Sequence, residues 1–224
     1  MSTVELASRR GCTNLSFSSP VVTVATLREL AMRLDHLAAE SAPRPLVVTS
    51  SHPQIHLAGA DLAEIATLDP HSCVAYAQLG RVVVMSLESY PAPTVAAVDG
   101  SCSGGGFDLV LACDAIIASP DASFSHPGVK RGLVTGWGGT SGLPPRLGRN
   151  AARGALLEGG RLALPGLIEA GVVHAVTQDP VADAYDCASR LAGLHGSRLQ
   201  VWRWLRHRVD RALLLALLTR GIID

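Results

Sequence analysis

The segment Pro93–Asp114, PTVAAVDGSCSGGGFDLVLACD, decides the fold of this 224-residue chain. Its beginning, Thr94–Val98, is an unbroken apolar run, which is typical of a strand buried on both faces of a sheet. A tight turn and the glycine-rich loop Ser101–Gly106 follow, and the apolar pattern of Phe107–Cys113 predicts a helix. This order of strand, turn and helix predicts the α/β class with a mainly parallel sheet.

The same succession of strands and helices extends to both sides of this segment. Upstream, the pattern predicts a helix at Thr26–Ala39, a strand at Arg44–Thr49 and a short helix at Leu62–Leu68. Downstream, it predicts a strand at Ala115–Ala118 and a last strand at Val172–Val176. The repeated unit therefore combines strand, loop and helix.

The last part of the chain is predicted to be entirely helical. Apolar residues recur at steps of three and four over residues 199–216, and the arginines of residues 203–211 fall largely on other faces. These arginines form either a solvated face or a contact with another subunit or with phosphate. We therefore divide the chain into a core of residues 1–178 and a C-terminal helical region of residues 179–224.

Composition excludes several classes of protein. Nineteen basic and nineteen acidic side chains cancel, which removes the broad positive field that nucleic-acid binding requires. The five cysteines share no paired or metal-ligand spacing, as is typical of reduced thiols in the cytoplasm. The sequence contains neither a signal peptide nor an apolar run long enough for a membrane helix. We expect a cytoplasmic protein that binds neither nucleic acid nor a membrane.

Common cofactor and nucleophile motifs are also missing. His52 and His56 have the spacing of a helical metal-binding pair, but Pro53 interrupts such a helix and no third ligand is apparent. The chain contains no phosphate-binding loop and no serine nucleophile elbow. The sequence therefore predicts no metal and no cofactor.

Two short segments, Ala58–Asp61 and Ser103–Asp108, share one physical design. Each is predicted to be a glycine-containing turn that leads directly into a helix, whose first N–H groups have no partners inside the helix. Two such amides converging on one point would form an oxyanion hole. The alternative is that the glycines only permit tight turns.

The combination resembles the crotonase (enoyl-CoA hydratase/isomerase) superfamily. Pro93–Asp114 is similar to the family signature, and His56–Asp61 is similar to its AGAD turn. Gly138–Thr140 and Ala170–Val173 fall where the family has two further elements, so that the resemblance covers residues 20–178. It implies an α/β fold, a crotonase/ClpP-like spiral of ββα units with a C-terminal helical region.

The resemblance also implies a substrate and its binding residues. Crotonases bind an acyl-coenzyme A in a bent pose, and the matching donors to the thioester oxygen are the amides of Ala60 and Gly105. Coenzyme A is then part of the substrate. The other residues of the two turns expected to contact the substrate are Ala58, Gly59, Asp61, Gly104 and Gly106. The family's C-terminal helices commonly form trimers or pairs of trimers, which implies a homotrimer or hexamer and makes residues 179–224 a trimerisation surface or a lid.

The chain departs from the family at its acid/base residues. Family hydratases use two glutamates, and the matching positions are Asp108 and Gly128. Addition of water needs one group for the water and one for the α-proton, so a single aspartate suits hydration poorly. We expect an enoyl-CoA hydratase/isomerase-type enzyme of altered mechanism that uses Asp108. The alternatives are a thioester decarboxylase or hydrolase and a non-catalytic subunit.

Two nearby side chains are candidates for the remaining functions. His126 lies two positions before Gly128 and could act as general base or acid near neutral pH, or could hydrogen-bond a loop carbonyl. Trp137 either walls the acyl pocket or packs against the following helix. We therefore predict Asp108 and His126 as catalytic residues and Trp137 as a substrate contact.

Overall fold

The computed structural model describes residues 3–193 together with Arg203. Its strands are β1 (Val4–Arg9), β2 (Cys12–Phe17), β3 (Val21–Val22), β4 (Leu46–Ser50), β5 (Ile55–Leu57), β6 (Gly59–Ala60), β7 (Thr94–Val98), β8 (Ser101–Ser103), β9 (Ala115–Ala118), β10 (Ser123–Ser125), β11 (Arg161–Leu162) and β12 (Ala175–Val176). Its α-helices are α1 (Val24–Ala38), α2 (Leu62–Ile65), α3 (Pro70–Glu88), α4 (Gly105–Ala112), α5 (Gly139–Gly142), α6 (Pro144–Leu147), α7 (Arg149–Arg153), α8 (Leu164–Glu169) and α9 (Pro180–Ala192). A 3₁₀ turn occupies Pro127–Arg131, and a π-helical turn occupies Gly154–Glu158.

The strands form two main sheets that the chain visits alternately. One sheet has the order β1-β2-β4-β7-β9-β12 and is parallel except for the β1–β2 pair. The other has the order β11-β10-β8-β5 and is parallel except for the β10–β11 pair. Each of the pairs β4/β5, β7/β8 and β9/β10 contributes one strand to each sheet. The chain thus advances as a spiral of ββα units.

Helices cover both faces of the six-stranded sheet. The larger apolar cluster includes residues of α1, α3 and α4, such as Leu34, Val83 and Leu109, each at most 2% exposed. A second cluster places Tyr185 and Ala188 of α9 against Val95 and Ile117 of the sheet. Strands β7 and β9 in the middle of this sheet are buried along their whole length, because helices pack on both faces of the sheet.

The central predictions from sequence agree with these elements. The strands predicted at Thr94–Val98 and Ala115–Ala118 have the predicted bounds. Some predictions were wrong in detail. The loop predicted at Ser101–Gly106 contains strand β8, and the turn predicted at Ala58–Asp61 contains strand β6. The helix predicted at Leu62–Leu68 ends at Ile65, and only the last two residues of Val172–Val176 form a strand. The polar first strand, β1, was missed because its apolar pattern is weak.

The far C-terminal predictions concern residues that the structure mostly does not describe. The apolar stripe over residues 199–216 lies outside the described residues. Arg203 is described: it is buried, and its guanidinium donates to both oxygens of Asp114 and to the carbonyl of Ala92. A solvated position is therefore wrong for Arg203. Among the described helices, none has the length and apolar character needed to cross a membrane.

Candidate active site

A cavity of about 570 Å³ opens between α2, α3, the start of α4 and the segment that follows β10. The volume falls in the usual range for small-molecule sites. The sequence-predicted residues in its wall are Ala58, Ala60, Asp61, Gly104, Gly105, His126 and Trp137. The remaining three, Gly59, Gly106 and Asp108, are not part of that wall. The structure therefore brings residues from three separate parts of the chain to one cavity.

The two glycine-containing turns touch each other at Gly59. A Cβ atom at this position would lie 2.7 Å from the backbone nitrogen of Gly105 and 2.9 Å from that of Gly106. Gly59 also has a φ of +89°, which favours glycine. On the same side, the Ser103 hydroxyl donates to the carbonyl oxygen of Ala58 at 3.2 Å. The turn that contains Ala60 is thereby held against the start of α4, which carries Gly105.

Helix α4 begins without a side-chain cap among the residues that the structure describes. Its N-cap residue is Gly104, with a φ of +54°, whereas Thr23, Asp69 and Asp179 cap the long helices α1, α3 and α9. The first amides of a helix have no partners within it and sit at the positive end of its dipole. An uncapped helix start in a cavity wall can therefore receive a negatively charged oxygen.

The indole of Trp137 is inserted between two glycines, Gly80 of α3 and Gly105 of α4. A Cβ atom at either glycine would collide with the ring. Tyr76 meets the indole edge-on, with ring centroids 5.7 Å apart. Trp137 thus lines the cavity and packs against α3 and the start of α4.

The carboxyl group of Asp108 is buried on the first turn of α4. Oδ2 accepts a hydrogen bond from the Thr135 hydroxyl, while Oδ1 has no hydrogen-bond partner in the described part of the chain. Burial raises the pKa of Asp108 to about 7, against the opposing effects of Thr135, of the Gly139 and Trp137 amides, and of Arg81. At neutral pH this carboxyl group is therefore close to its titration midpoint, as suits an acid/base residue.

His126 connects this carboxyl group with the cavity. Its Nε2 lies 3.4 Å from Asp108 Oδ1, and its ring packs on Phe107 with centroids 5.3 Å apart. Burial lowers the pKa of His126 to about 4, so that the imidazole is neutral at physiological pH. Neither ring nitrogen has a hydrogen-bond partner among the described residues. A neutral imidazole with an available nitrogen can accept a proton.

Gly139 closes the cluster on the remaining side. A Cβ atom there would lie 2.5 Å from Asp108 Oδ1, 2.8 Å from the Thr135 methyl and 2.9 Å from His126 Cε1. Any side chain at this position would displace all three groups. The sequence analysis assigned Gly139 to the family element Gly138–Thr140 but did not predict its contact with Asp108 and His126.

Gly128 also lies in the cavity wall. A Cβ atom added there would meet the backbone oxygen of Leu133 at 3.3 Å and its Cβ at 3.4 Å. The position is therefore tight, yet it has room for a side chain after a small shift. Among the described wall residues the only acidic side chain is that of Asp61, whose Oδ1 accepts from the amides of Ala63 and Glu64 as the cap of α2.

Several wall residues were missed by sequence reasoning. Thr135 and Tyr76 belong to no recognisable motif, and only folding brings them to Asp108 and Trp137. Within the described residues, no group of three or more potential ligands is placed to hold a metal. The two spaced histidines lie elsewhere: His56 is buried on β5, and His52 Nδ1 accepts backbone amides of its own loop.

Comparison with known proteins agrees with this architecture. The family profile "Enoyl-CoA hydratase/isomerase" matches residues 16–217. The human protein "Enoyl-CoA hydratase domain-containing protein 2, mitochondrial" is 34% identical over 188 residues, which cover 83% of this chain and 61% of that protein. The mouse "Methylglutaconyl-CoA hydratase, mitochondrial" is 30% identical over 176 residues, which cover 76% of this chain and 55% of that protein.

A solved structure gives the same fold. Enoyl-CoA hydratase from Bacillus anthracis superimposes with a TM-score of 0.80 at 23% identity, over 98% of this chain and 96% of that one. The expected crotonase-type α/β spiral is thereby confirmed. The chain spans only 55–61% of the length of the two curated relatives above. Their names place both in mitochondria, so a cytoplasmic location for this chain stays a prediction.

Proposed function

This chain belongs to the enoyl-CoA hydratase/isomerase family, and on that premise we propose that it acts on an acyl-CoA or another acyl thioester. The amides of Ala60 and Gly105 stabilise the negative charge that develops on the thioester oxygen, in an enolate or in a tetrahedral oxyanion. Asp108 and His126 move the proton. Coenzyme A enters and leaves as part of the substrate.

One observation carries this proposal: the turn at Gly59 lies directly against the start of α4. A Cβ at Gly59 would meet the Gly105 nitrogen at 2.7 Å, and both Ala60 and Gly105 lie in the cavity wall. Each donor of an oxyanion hole is worth about 2.7–4 kcal/mol of transition-state stabilisation. Two such donors would supply much of the catalysis without any ionisable side chain.

The acid/base groups favour proton transfer over hydration. A hydratase needs a second group to activate water, and Gly128 leaves that group out. A proton transfer needs only one site: in a 3-enoyl thioester the α-C–H bond breaks, its electron pair moves into the thioester carbonyl to give a dienolate, and the proton is returned to the γ-carbon, which shifts the double bond. Isomerisation of an enoyl thioester is therefore the reaction that these residues support best.

The test is mass spectrometry of crotonyl-, dienoyl- and malonyl-type CoA esters after incubation with the protein in deuterium oxide. We expect uptake of deuterium next to the thioester carbonyl of at least one unsaturated ester. The variant Gly59→Ala should lose about 10²–10³-fold of this exchange, because the new methyl group displaces the Gly105 amide.

Gly11→Ala is the matched control. Gly11 also has a positive φ, +74°, but a Cβ atom there has no atom within 4 Å. It should suffer the same backbone strain and keep the exchange rate. Release of CO₂ or free coenzyme A without exchange would favour the decarboxylase or hydrolase alternative. No reaction with any ester would contradict the proposal and favour a non-catalytic subunit.

Assembly is a separate proposal. We expect a homotrimer or a hexamer, on the strength of family membership alone. Sedimentation of the purified protein tests this, and a single monomeric species would contradict it.

A further inference from the structure

The two acid/base candidates do not have equivalent positions. The side chain of Asp108 is fully buried, and this residue is absent from the described cavity wall, whereas His126 is part of that wall. The 3.4 Å between His126 Nε2 and Asp108 Oδ1 places the imidazole next to the carboxylate. A substrate in the cavity would therefore meet His126 first, and Asp108 would act through it.

Thr135 fixes the orientation of the carboxyl group behind the histidine. Its hydroxyl donates to Oδ2 of Asp108, and its methyl lies where a Cβ atom of Gly139 would be 2.8 Å away. A β-branched side chain has few χ1 rotamers, so the packed methyl keeps the hydroxyl aimed at Oδ2. Oδ1 is then the oxygen that remains for His126.

We propose that His126, Asp108 and Thr135 form a proton relay, in which His126 is the catalytic residue and Asp108 and Thr135 are positioning residues. The inference rests on the proposed function, because it needs an acyl thioester in the cavity. The proposal assigns the substrate contact to His126, and it adds Thr135, which no sequence motif predicted.

The relay balances without any further reactant. In the relay, His126 is neutral and carries its proton on Nε2, which lies 3.4 Å from Asp108 Oδ1 without an aligned hydrogen bond in this structure. Substrate binding would align these two atoms and bring the substrate to the lone pair of Nδ1, which is buried here. Nδ1 takes the α-proton as the C–H bond breaks, and the electron pair moves into the thioester carbonyl. The resulting imidazolium lies beside the Asp108 carboxylate, which stabilises it. The proton returns to carbon from Nδ1.

The charged and titratable groups that face Asp108 determine the pH at which the relay works. They are His126 from the segment after β10, Arg81 from α3, and the Cys102 thiol from β8, whose pKa burial raises so that it stays neutral. Since burial raises the pKa of Asp108 to about 7 and lowers that of His126 to about 4, the competent form is an ionised aspartate beside a neutral histidine. Exchange should increase as the pH rises through about 7.

The first test compares His126→Gln, Asp108→Asn and the double variant in the deuterium-exchange assay. Each single variant should lose about 10²–10⁴-fold of the exchange rate. The double variant should lose no more than the worse single one, because residues that act as a unit have non-additive effects. Full activity of His126→Gln would overturn the relay, since Asp108 would then act alone.

The second test uses two variants of Thr135. Thr135→Val keeps the shape but lacks the hydroxyl, so the midpoint of the pH–rate profile should rise by about one pH unit, with KM unchanged and the rate recovering at high pH. Thr135→Ser keeps the hydroxyl but lacks the packed methyl, and should shift the midpoint less than Thr135→Val does. Equal losses in both variants at all pH values would overturn the positioning role, since only shape would then matter.

A third measurement does not depend on turnover. Nitrogen-15 NMR of the substrate-free protein should find the His126 proton on Nε2 and none on Nδ1. An active enzyme whose His126 carries its proton on Nδ1 would overturn the relay alone. A wild-type protein that exchanges no ester in the panel would overturn the proposed function, and the relay with it.

Discussion

Asp108 lies on the first turn of α4 and Asp114 lies two residues after its end, and each is only 1% exposed. Asp114 receives the Arg203 guanidinium at 2.9 and 2.8 Å, and its Oδ2 also accepts from the backbone and hydroxyl of Thr94. Asp108 receives one hydroxyl and faces a neutral histidine, and its Oδ1 has no hydrogen-bond partner within the described part of the chain.

Because the two carboxyl groups are equally buried, the difference between them comes from their partners. A carboxylate whose two oxygens accept from a buried guanidinium holds distant parts of the chain together. A carboxyl group without a cation in contact can bind or release a proton near neutral pH, because the fold does not favour its charged form. The following experiments test this division, from the largest expected effect to the smallest.

Replacing Asp108 by Asn should have the largest effect on activity. The amide keeps the size of the side chain but has no charge to stabilise the His126 imidazolium, so deuterium exchange into an unsaturated CoA ester should fall by about 10²–10⁴-fold. Asp99→Asn, at an exposed position in the turn after β7, is the control and should keep the wild-type rate. Similar losses in both variants would contradict a special role for Asp108.

Replacing Asp114 by Asn should act on stability instead. It leaves the Arg203 guanidinium buried without a counter-charge, which typically costs about 3–5 kcal/mol. Urea unfolding followed by circular dichroism measures this loss. The control is Asp186→Asn, which removes an exposed ion pair with Arg10 and should cost at most about 1 kcal/mol. Equal losses of unfolding free energy in Asp114→Asn and Asp186→Asn would contradict the structural role of Asp114.

The stability of Asp108→Asn relative to the wild type should depend on pH. The folded protein raises the pKa of Asp108 from 3.8 to about 7, so it binds more protons than the unfolded chain between these values. The wild type therefore loses stability as the pH rises through this window, by up to about 4 kcal/mol, and Asn does not titrate.

Urea unfolding of both proteins at pH 4, 6 and 8 measures this difference. The two should be nearly equal at pH 4, and the variant should be the more stable at pH 8. Burial lowers the pKa of His56 to about 4, which makes both proteins less stable as the pH falls from 6.5 towards 4, so this effect cancels in the comparison. A difference that does not change with pH would contradict a raised pKa.

Gly128→Glu should have the smallest effect and restores the carboxylate that the hydratases of the family have. The added side chain needs a shift of a few tenths of an ångström at Leu133, which a loop can accommodate. We expect hydration of crotonyl-CoA to rise by about tenfold or more, because water then has its own base. Gly128→Gln has the same size without the charge and should leave hydration unchanged. A gain with Gln would contradict this explanation.

The sequence was sufficient for the fold because local and long-range signals coincide in it. The apolar run of β7 and the glycines before α4 specify strand, turn and helix in order, and the family signature adds the spiral. Strand β1 was missed, since exposed residues such as Glu5 and Arg9 do not reveal a strand whose outer edge is polar.

The cavity itself was less predictable than the elements around it. Ala60 and Gly105 could be named because each belongs to a turn with a recognisable pattern. Thr135 could not, because its contact with Asp108 depends on how the loop after Pro127–Arg131 folds back over α4. The burial of Arg203 could not be predicted either, since a helical pattern of arginines gives no sign of a buried partner 89 positions away.

The 89-residue separation between Asp114 and Arg203 affects how the chain folds during its synthesis. During synthesis, the Asp114 carboxylate leaves the ribosome 89 residues before the guanidinium that neutralises it. Until Arg203 emerges, the end of α4 and the adjoining strands contain a negative charge that disfavours desolvation. We therefore expect the packing around Asp114 to be completed only after translation has passed this arginine, and this part of a nascent chain that stalls earlier to stay accessible to chaperones.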